Sequence, residues 1–120
     1  MIQGEFDELG QLFFEIDLIA ANGEIFSTMA LLDTGFTQWL AINSQDLEGL
    51  MWSKIDRRRM ITAMGETLLN TYMANVVLDG QEFAVEAIAG SQIRETIIGL
   101  PWLRTKRLLV DFPAGILTLG

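Results

Sequence analysis

Two Asx-Gly dipeptides, Asn22-Gly23 and Asp79-Gly80, do most to limit the folds open to this chain. Such dipeptides are typical of the two-residue turns of β-hairpins, because both central residues of those turns take positive φ. Apolar and polar residues alternate on either side of each dipeptide, and before the first one Phe14, Ile16 and Leu18 fall on one face. Alternation with a period of two is typical of half-buried strands. The sequence therefore predicts two hairpins and a mostly β fold.

The remaining segments predict more strands, little helix and a single domain, residues 1–120. Half of the 120 residues are apolar, which is enough for one domain with a real core. A helix is expected over residues 45–51 with Asn43 or Ser44 as its N-cap, and another begins at Pro101. The last strand is expected to be an open edge that another chain covers. The predicted strands cover residues 13–19, 25–32, 38–42, 60–64, 66–78, 82–89, 95–99, 108–111 and 116–119.

The residue types that are missing exclude most classes of catalytic site. The chain has no cysteine and no histidine, which excludes disulfides, structural zinc, thiol nucleophiles and every Ser-His arrangement. It also has no glycine-rich phosphate-binding motif. We therefore expect no metal and no cofactor, and carboxylates remain as the acid–base groups.

The distribution of charge bears on partners and location. A net charge of −8 argues against nucleic acid as a partner. The cluster Arg57-Arg58-Arg59 is expected to be a solvated loop face, with a small phosphate- or RNA-binding patch as the alternative. The uncharged runs are too short to span a bilayer, and no basic segment leads an apolar one at the N-terminus. We expect a soluble cytoplasmic protein that does not contact a membrane.

An apolar run, Ala30-Leu31-Leu32, leads directly into Asp33-Thr34-Gly35. These residues alone allow two interpretations. Asp, Thr and Gly are common in turns, where Gly35 would supply positive φ, so the segment can be an ordinary tight turn. Alternatively, Asp33 is a catalytic carboxylate at the rim of a buried strand, where desolvation raises its pKa.

Four segments follow one another in an order that resembles that of retropepsin-like aspartic proteases. They are Leu31-Leu32-Asp33-Thr34-Gly35, a hairpin around Gly65, Ile97-Ile98-Gly99 and the closing hairpin of residues 108–119. The resemblance covers nearly all of residues 10–120, and Asp-Thr-Gly-Phe-Thr is similar to the small single-domain proteins of prokaryotes. It implies an all-β, closed-barrel-like subunit with one or two short helices and a flap hairpin, working as a symmetric homodimer.

The resemblance also implies a role for each matching residue. Asp33 would be catalytic, Thr34 would brace the dimer by a hydrogen bond to the partner's loop, and Gly35 would let the backbone approach that loop. The flap residues that would contact a peptide substrate are Ala63, Met64, Gly65 and Glu66.

Only one aspartate of this chain, Asp33, precedes Thr-Gly, so a second catalytic carboxylate has to come from a second copy. The implied function is that of an aspartic endopeptidase, in which water activated between two Asp33 carboxylates hydrolyses a peptide bond flanked by apolar residues. One alternative is a dimeric peptide- or partner-binding module with little or no turnover. Another is an unrelated all-β domain in which Asp33 is only a turn residue.

Three residues depart from the pattern of the family. Phe36 stands where pepsin-like enzymes have Ser or Thr and retroviral ones have Ala, so no hydroxyl is available there to stabilise the ionised carboxylate. We therefore expect a higher working pH than that of pepsin-like enzymes. Thr37 and Leu100 replace the acid and the arginine of the ion pair found in retroviral enzymes. Since both partners are missing together, we expect another interaction to support this loop.

Overall fold

A computed structural model describes residues 1–62 and 65–120. These residues form eleven strands, one short α-helix, α1 (Leu47–Leu50), and two 3₁₀ helices (Ser44–Asp46 and Leu100–Arg104). The strands are β1 (Ile2–Gln3), β2 (Glu5–Phe6), β3 (Leu12–Ile19), β4 (Ile25–Asp33), β5 (Leu40–Asn43), β6 (Lys54–Thr62), β7 (Gly65–Leu78), β8 (Gln81–Gly90), β9 (Ile97–Gly99), β10 (Leu108–Asp111) and β11 (Ile116–Leu119).

Six of these strands close into a barrel. Their order is β3-β4-β9-β5-β8-β7, with β2 attached beyond β3 and β6 beyond β7. The ring closes because β7 also pairs with β3, where Asp17 lies opposite Val77 and Ile19 opposite Asn75. Closure pairs the backbone groups that an open sheet would leave at its edges. The predicted all-β, closed-barrel fold is confirmed.

Both predicted hairpins are present. Strands β3 and β4 meet across Ile19 and Ile25, and Gly23 in the turn between them has a φ of +89°. Strands β7 and β8 are joined by Asp79-Gly80, with φ values of +55° and +75°. Both residues of Asp79-Gly80 thus have left-handed backbone, as expected, whereas in Asn22-Gly23 only Gly23 does.

The interior consists of a large core and a smaller cluster. Phe14, Ile16 and Leu18 of β3 all face the large core, while Glu15 is exposed, as the alternation predicts. The smaller group, here called the second cluster, has a buried centre with partly buried side chains packed against it. Its centre is Ala41, Leu69 and Ile88, and the side chains against it are Phe36, Met60, Ile93 and Ile97.

The terminal sheet corrects one prediction. Its order is β1-β11-β10, so the last strand, β11, lies in the middle and is not an edge. Ile2 and Gln3 of β1 pair with Leu119 and Thr118, but two residues are too few to show a strand pattern in the sequence. The exposed edge strand with aliphatic side chains is therefore β10.

The β6–β7 hairpin shows that two further predictions were wrong. Strand β6 begins at Lys54, six residues before the predicted start, so Arg57-Arg58-Arg59 lie in a strand and not in a loop. Gly65 is the first residue of β7, paired with Thr62, and not the tip of the hairpin. The predicted flap residues Ala63 and Met64 lie outside the described residues.

The helical segments are short, as predicted. Asn43 accepts a hydrogen bond from the Gln45 N–H through Oδ1 at 2.9 Å, which begins a 3₁₀ turn that continues as α1. Met51, with a φ of +55°, ends α1, and Pro101 lies in the first turn of the second 3₁₀ helix. Within residues 1–62 and 65–120, no helix has the length and apolar character needed to cross a membrane.

Candidate active site

Asp33 is the last residue of β4, a strand that the barrel holds on both sides. β4 pairs with β3 and runs parallel to β9, where Asp33 lies opposite Gly99. Leu32, the residue before it, is buried in the large core. Because the strand is fixed along its length, the position of the Asp33 backbone is set by the barrel itself.

A tight turn follows the strand and holds the carboxylate. The Phe36 N–H donates to the Asp33 carbonyl oxygen at 3.1 Å, and the Gly35 N–H donates to Asp33 Oδ1 at 2.9 Å. The Leu100 N–H donates to the Phe36 carbonyl oxygen at 2.8 Å, which ties the turn to the segment after β9. The turn and the catalytic interpretations of Asp33 are therefore compatible, since the turn is what orients the side chain.

The reason for a glycine at position 35 differs from the prediction. Gly35 is not among the glycines with positive φ, so the turn does not require left-handed backbone there. A Cβ at this position would instead lie 3.2 Å from Asp33 Oδ1. What Gly35 supplies is close approach of its N–H to the carboxylate.

The predicted desolvation of Asp33 is not found in the single chain. Asp33, Thr34 and Gly35 are all exposed, at the mouth of a shallow cavity of about 290 Å³. Its walls are formed by Gln11, Leu12, Leu31, Leu32, Asp33 and Thr34. Any burial of this carboxylate has to come from another molecule.

Larger cavities lie elsewhere on the molecule and do not include Asp33. One of about 580 Å³ lies beside Trp39, Phe83 and Trp102, and one of about 390 Å³ lies between the start of β4 and α1. We place the candidate site at the smaller cavity because the held carboxylate is there. Among the described residues, no group of three carboxylates is placed to hold a metal ion.

Two of the four predicted flap residues, Gly65 and Glu66, are among the described residues. Gly65 and Glu66 lie in β7, where Glu66 Oε1 is 3.3 Å from Arg59 Nε on the facing strand. That ion pair lies within the hairpin. Ala63 and Met64 are outside the described residues, so none of the four flap residues is seen next to Asp33.

The sequence did not indicate two contacts of the loop that follows Asp33. Phe36 packs against the second cluster, together with Met60 from the hairpin. Arg58 Nη1 donates to Gln38 Oε1 at 3.2 Å, which joins the hairpin to the loop after Asp33. No local pattern indicates either contact, because Arg58 is 20 positions from Gln38 and, except for Ala41, the members of the second cluster are farther than that from Phe36.

The two residues that stand in place of the retroviral ion pair, Thr37 and Leu100, are both on the surface. Thr37 is exposed, and Leu100 is exposed although it is apolar. The two residues line one shallow cavity with Pro101, Leu103 and Arg104.

Comparisons with known proteins agree with this geometry at the level of the fold. No protein-family model and no curated protein matches the chain. Among solved structures, the retropepsin-like aspartic protease from Rickettsia conorii is similar over 98% of this chain and 88% of its own, with a TM-score of 0.73 and 20% identity.

Two viral enzymes are similar as well. The EIAV protease complexed with the inhibitor HBY-793 matches 82% of this chain and 90% of its own, with a TM-score of 0.64 and 15% identity. The simian foamy virus (mac) protease matches 80% and 99%, with a TM-score of 0.55 and 19% identity. The chain therefore has the retropepsin fold, and the resemblance to retropepsin-like aspartic proteases indicated by its motifs is confirmed.

Proposed function

We propose that this chain is an aspartic endopeptidase that works as a symmetric homodimer. One observation carries the proposal: a retropepsin fold presents Asp33 at the end of a fixed strand, with Oδ1 held by the Gly35 N–H. The carboxylate is exposed in the single subunit, which leaves it accessible to a second copy. One carboxylate of this kind is half of an acid–base pair.

The chemistry follows from bringing two such carboxylates together. Two carboxyl groups about 3 Å apart cannot both ionise, so the pair of Asp33 side chains shares one proton and titrates as a unit. The ionised member accepts a proton from a water molecule that lies between them. The protonated member donates a hydrogen bond to the carbonyl oxygen of the peptide bond.

Hydrolysis then proceeds without a covalent intermediate on the enzyme. The water oxygen bonds to the carbonyl carbon, the carbonyl oxygen takes the proton of the acid, and a tetrahedral diol forms. The carboxyl that first accepted a proton gives it to the amide nitrogen as the C–N bond breaks, while the other carboxylate takes a proton from one hydroxyl of the diol as the C=O bond re-forms. The products are a carboxylic acid and an amine, and the pair of Asp33 side chains again holds one proton.

The second copy is proposed to join along β10. This strand is one of the two edges of the terminal sheet, the other being the two-residue β1, so its outer backbone N–H and C=O groups are available for pairing. Leu109 and Val110 on β10 and Phe112 after it are exposed apolar side chains. Antiparallel pairing of β10 with the same strand of a second copy is compatible with a two-fold axis.

The proposed substrate is an extended peptide with apolar side chains next to the bond that is cut. The second cluster supports this, because Phe36, Met60 and Ile97 place apolar side chains around the loop that follows Asp33. An extended peptide would lie between the β6–β7 hairpin and the loop after Asp33 and pair with their backbone groups. Its alternate side chains would then face this apolar surface.

The test is cleavage of a mixed peptide library by the purified protein, compared with Asp33→Asn. The substitution keeps the shape of the side chain and removes the acid–base pair, so cleavage should be lost while sedimentation still shows a dimer. When equal amounts of wild type and Asp33→Asn are mixed and exchanged, one quarter of all dimers carry two carboxylates, so about half of the activity of the added wild type should remain.

Two outcomes would overturn the proposal. Cleavage that survives Asp33→Asn shows that the paired carboxylates are not used. A dimer that binds peptides but cleaves none between pH 3 and 8 is the binding module instead.

A further inference from the structure

Arg58 joins three elements around the candidate site. It lies in β6, and its guanidinium donates to Gln38 Oε1 at 3.2 Å through Nη1 and to Glu86 Oε1 at 2.9 Å through Nη2. Gln38 belongs to the loop that follows Asp33, and Glu86 belongs to β8 in the barrel wall. One side chain of the hairpin therefore contacts both the active-site loop and the barrel.

An apolar contact lies on the same face of the hairpin. Met60 is two residues from Arg58 along β6, so the two side chains project to the same side. Met60 packs against the second cluster, to which Phe36 of the active-site loop also belongs. Leu69, the cross-strand partner of Arg58, is buried in that cluster. The hairpin thus contacts the loop after Asp33 through Arg58, and beside that polar contact Met60 packs against the second cluster.

We propose that Arg58 is a positioning residue that sets the spacing between the β6–β7 hairpin and the loop carrying Asp33. This proposal rests on the proposed peptidase function. Thr37 and Leu100 cannot form the ion pair that supports this loop in retroviral enzymes. Arg58 brings a charged donor to the same loop from a different element, through Gln38.

The exposure of Arg58 and Glu86 indicates that their ion pair positions the hairpin and contributes little to the stability of the fold. The Arg58 and Glu86 side chains are 40% and 35% exposed, and ion pairs of that kind contribute little to folding. An arginine suits the position because its planar guanidinium donates to two acceptors at once, whereas a lysine offers a single ammonium group.

The neighbouring Arg59 is a matched control. It is the next residue of the same strand, carries the same charge and projects to the opposite face. Its ion pair with Glu66 lies within the hairpin and is largely exposed. Arg59→Ala therefore removes an arginine and an ion pair from β6 without touching the active-site loop.

The first measurement is steady-state cleavage of a peptide substrate. With Arg58→Ala we expect KM to rise about tenfold while kcat changes much less, because the loss of hairpin position weakens binding of substrate and transition state alike. Arg58→Lys should be intermediate and Arg59→Ala close to wild type, and the unfolding midpoint of all three should stay near that of wild type. An unchanged KM in Arg58→Ala, or an equal rise in Arg59→Ala, would overturn the proposal.

A second measurement does not depend on activity. The chain has no cysteine, so Ile61→Cys on the hairpin and Ile25→Cys on the barrel, both exposed, take two spin labels at defined places. Dilution with excess unlabelled protein restricts the measured distance to one subunit. Arg58→Ala should broaden the distribution and move it to longer distances, and Arg59→Ala should leave it as it is.

The two measurements separate the two proposals. An unchanged distribution in Arg58→Ala would overturn the role of Arg58 whether or not the protein cleaves peptides. A broadened distribution in a protein without cleavage would leave the role of Arg58 standing and remove the peptidase.

Discussion

Asp33 and Gly99 lie opposite each other in the parallel pair of β4 and β9, and no larger residue fits at position 99. A Cβ on Gly99 would lie 2.0 Å from the Gln38 carbonyl oxygen and 2.5 Å from that of Phe36. Its φ of −112° is ordinary, so the requirement is space and not backbone conformation. The loop after Asp33 is packed directly onto β9, and this close approach fixes the backbone on both sides of the carboxylate.

Gly99→Ala should therefore destabilise the protein by about 3 kcal/mol or more, because backbone atoms and not a flexible side chain stand in the way. Gly49→Ala is the matched control. Its Cβ would meet Phe26 Cζ at 3.9 Å, an ordinary contact, and it lies in α1, so a gain of about 0.5–1 kcal/mol is expected. Urea unfolding of both variants tests the pair, and similar values for the two would contradict the crowding seen at Gly99.

Trp102 packs against the end of the loop that follows Asp33. It is buried, its Nε1–H donates to the Trp39 carbonyl oxygen at 2.9 Å, and its ring meets Trp39 and Phe83 edge to face at 5.0 Å. That carbonyl also accepts the Gly99 N–H at 3.3 Å. Trp102 therefore fixes Trp39, at the end of the loop after Asp33, next to Gly99 of β9.

Trp102→Phe is expected to cost about 1–3 kcal/mol of unfolding free energy, since it removes a buried donor and part of the ring. Because the Trp39 carbonyl also holds Gly99, kcat/KM should fall more than tenfold as well. Trp52→Phe is the control, because Trp52 Nε1–H donates to the Ile19 carbonyl oxygen at 2.8 Å, away from the site. It should lose stability but keep kcat/KM, and an equal loss of activity in both variants would disprove the link through Trp39.

The sequence predicts most clearly the features that depend on neighbouring residues. The alternation in β3 and the Asx-Gly turns are local, so the hairpins around Gly23 and Gly80 were predicted correctly. The short strand β1 has too few residues to show a pattern, and its omission led to the wrong edge strand. Arg57-Arg58-Arg59 resembled a loop because three consecutive charges hide any apolar alternation in this part of β6, although its partner β7 is the next strand of the chain.

The candidate site shows the same division. The apolar run before Asp33 predicted correctly that this carboxylate lies at the end of a strand. The reason for Gly35 and the exposure of Asp33 depend on the path of the backbone, which the local sequence does not define. The contact between Arg58 and Gln38 joins residues 20 positions apart, and only the folded barrel brings them together.

Asp79 gives a prediction for pH dependence. The N-terminal ammonium of Met1 donates a hydrogen bond to Asp79 Oδ1, which lowers the pKa of this carboxyl below its ordinary 3.8, and the charges of that ammonium and of Lys106 lower it further. Lys106 Nζ lies 3.8 Å from Asp79 Oδ2. Since the folded state has the lower pKa, the stabilisation is complete well above 3.8 and is lost as the pH falls through the folded-state pKa.

Asp79→Asn should accordingly lower the unfolding free energy at neutral pH, and the difference from wild type should shrink below about pH 5 and then vanish. Asparagine tolerates the left-handed φ of +55° at this turn, so the backbone is kept. Asp46→Asn serves as the control, because Asp46 is exposed and makes no capping hydrogen bond. A difference that is the same at every pH would show that the charge of Asp79 is not the cause.

The proposed dimer contact along β10 is tested by placing a charge in it. Leu109 is exposed on the edge strand, and Leu109→Lys would bring two like charges together about the two-fold axis in an apolar contact. Sedimentation should show a monomer with an unchanged circular dichroism spectrum, and peptide cleavage should be lost because each subunit supplies one carboxylate. Ile25→Lys, at another exposed aliphatic position at the start of β4, should remain dimeric and active. A dimeric Leu109→Lys protein would exclude β10 as the contact, and a monomeric one that still cleaves peptides would exclude the paired Asp33 carboxylates.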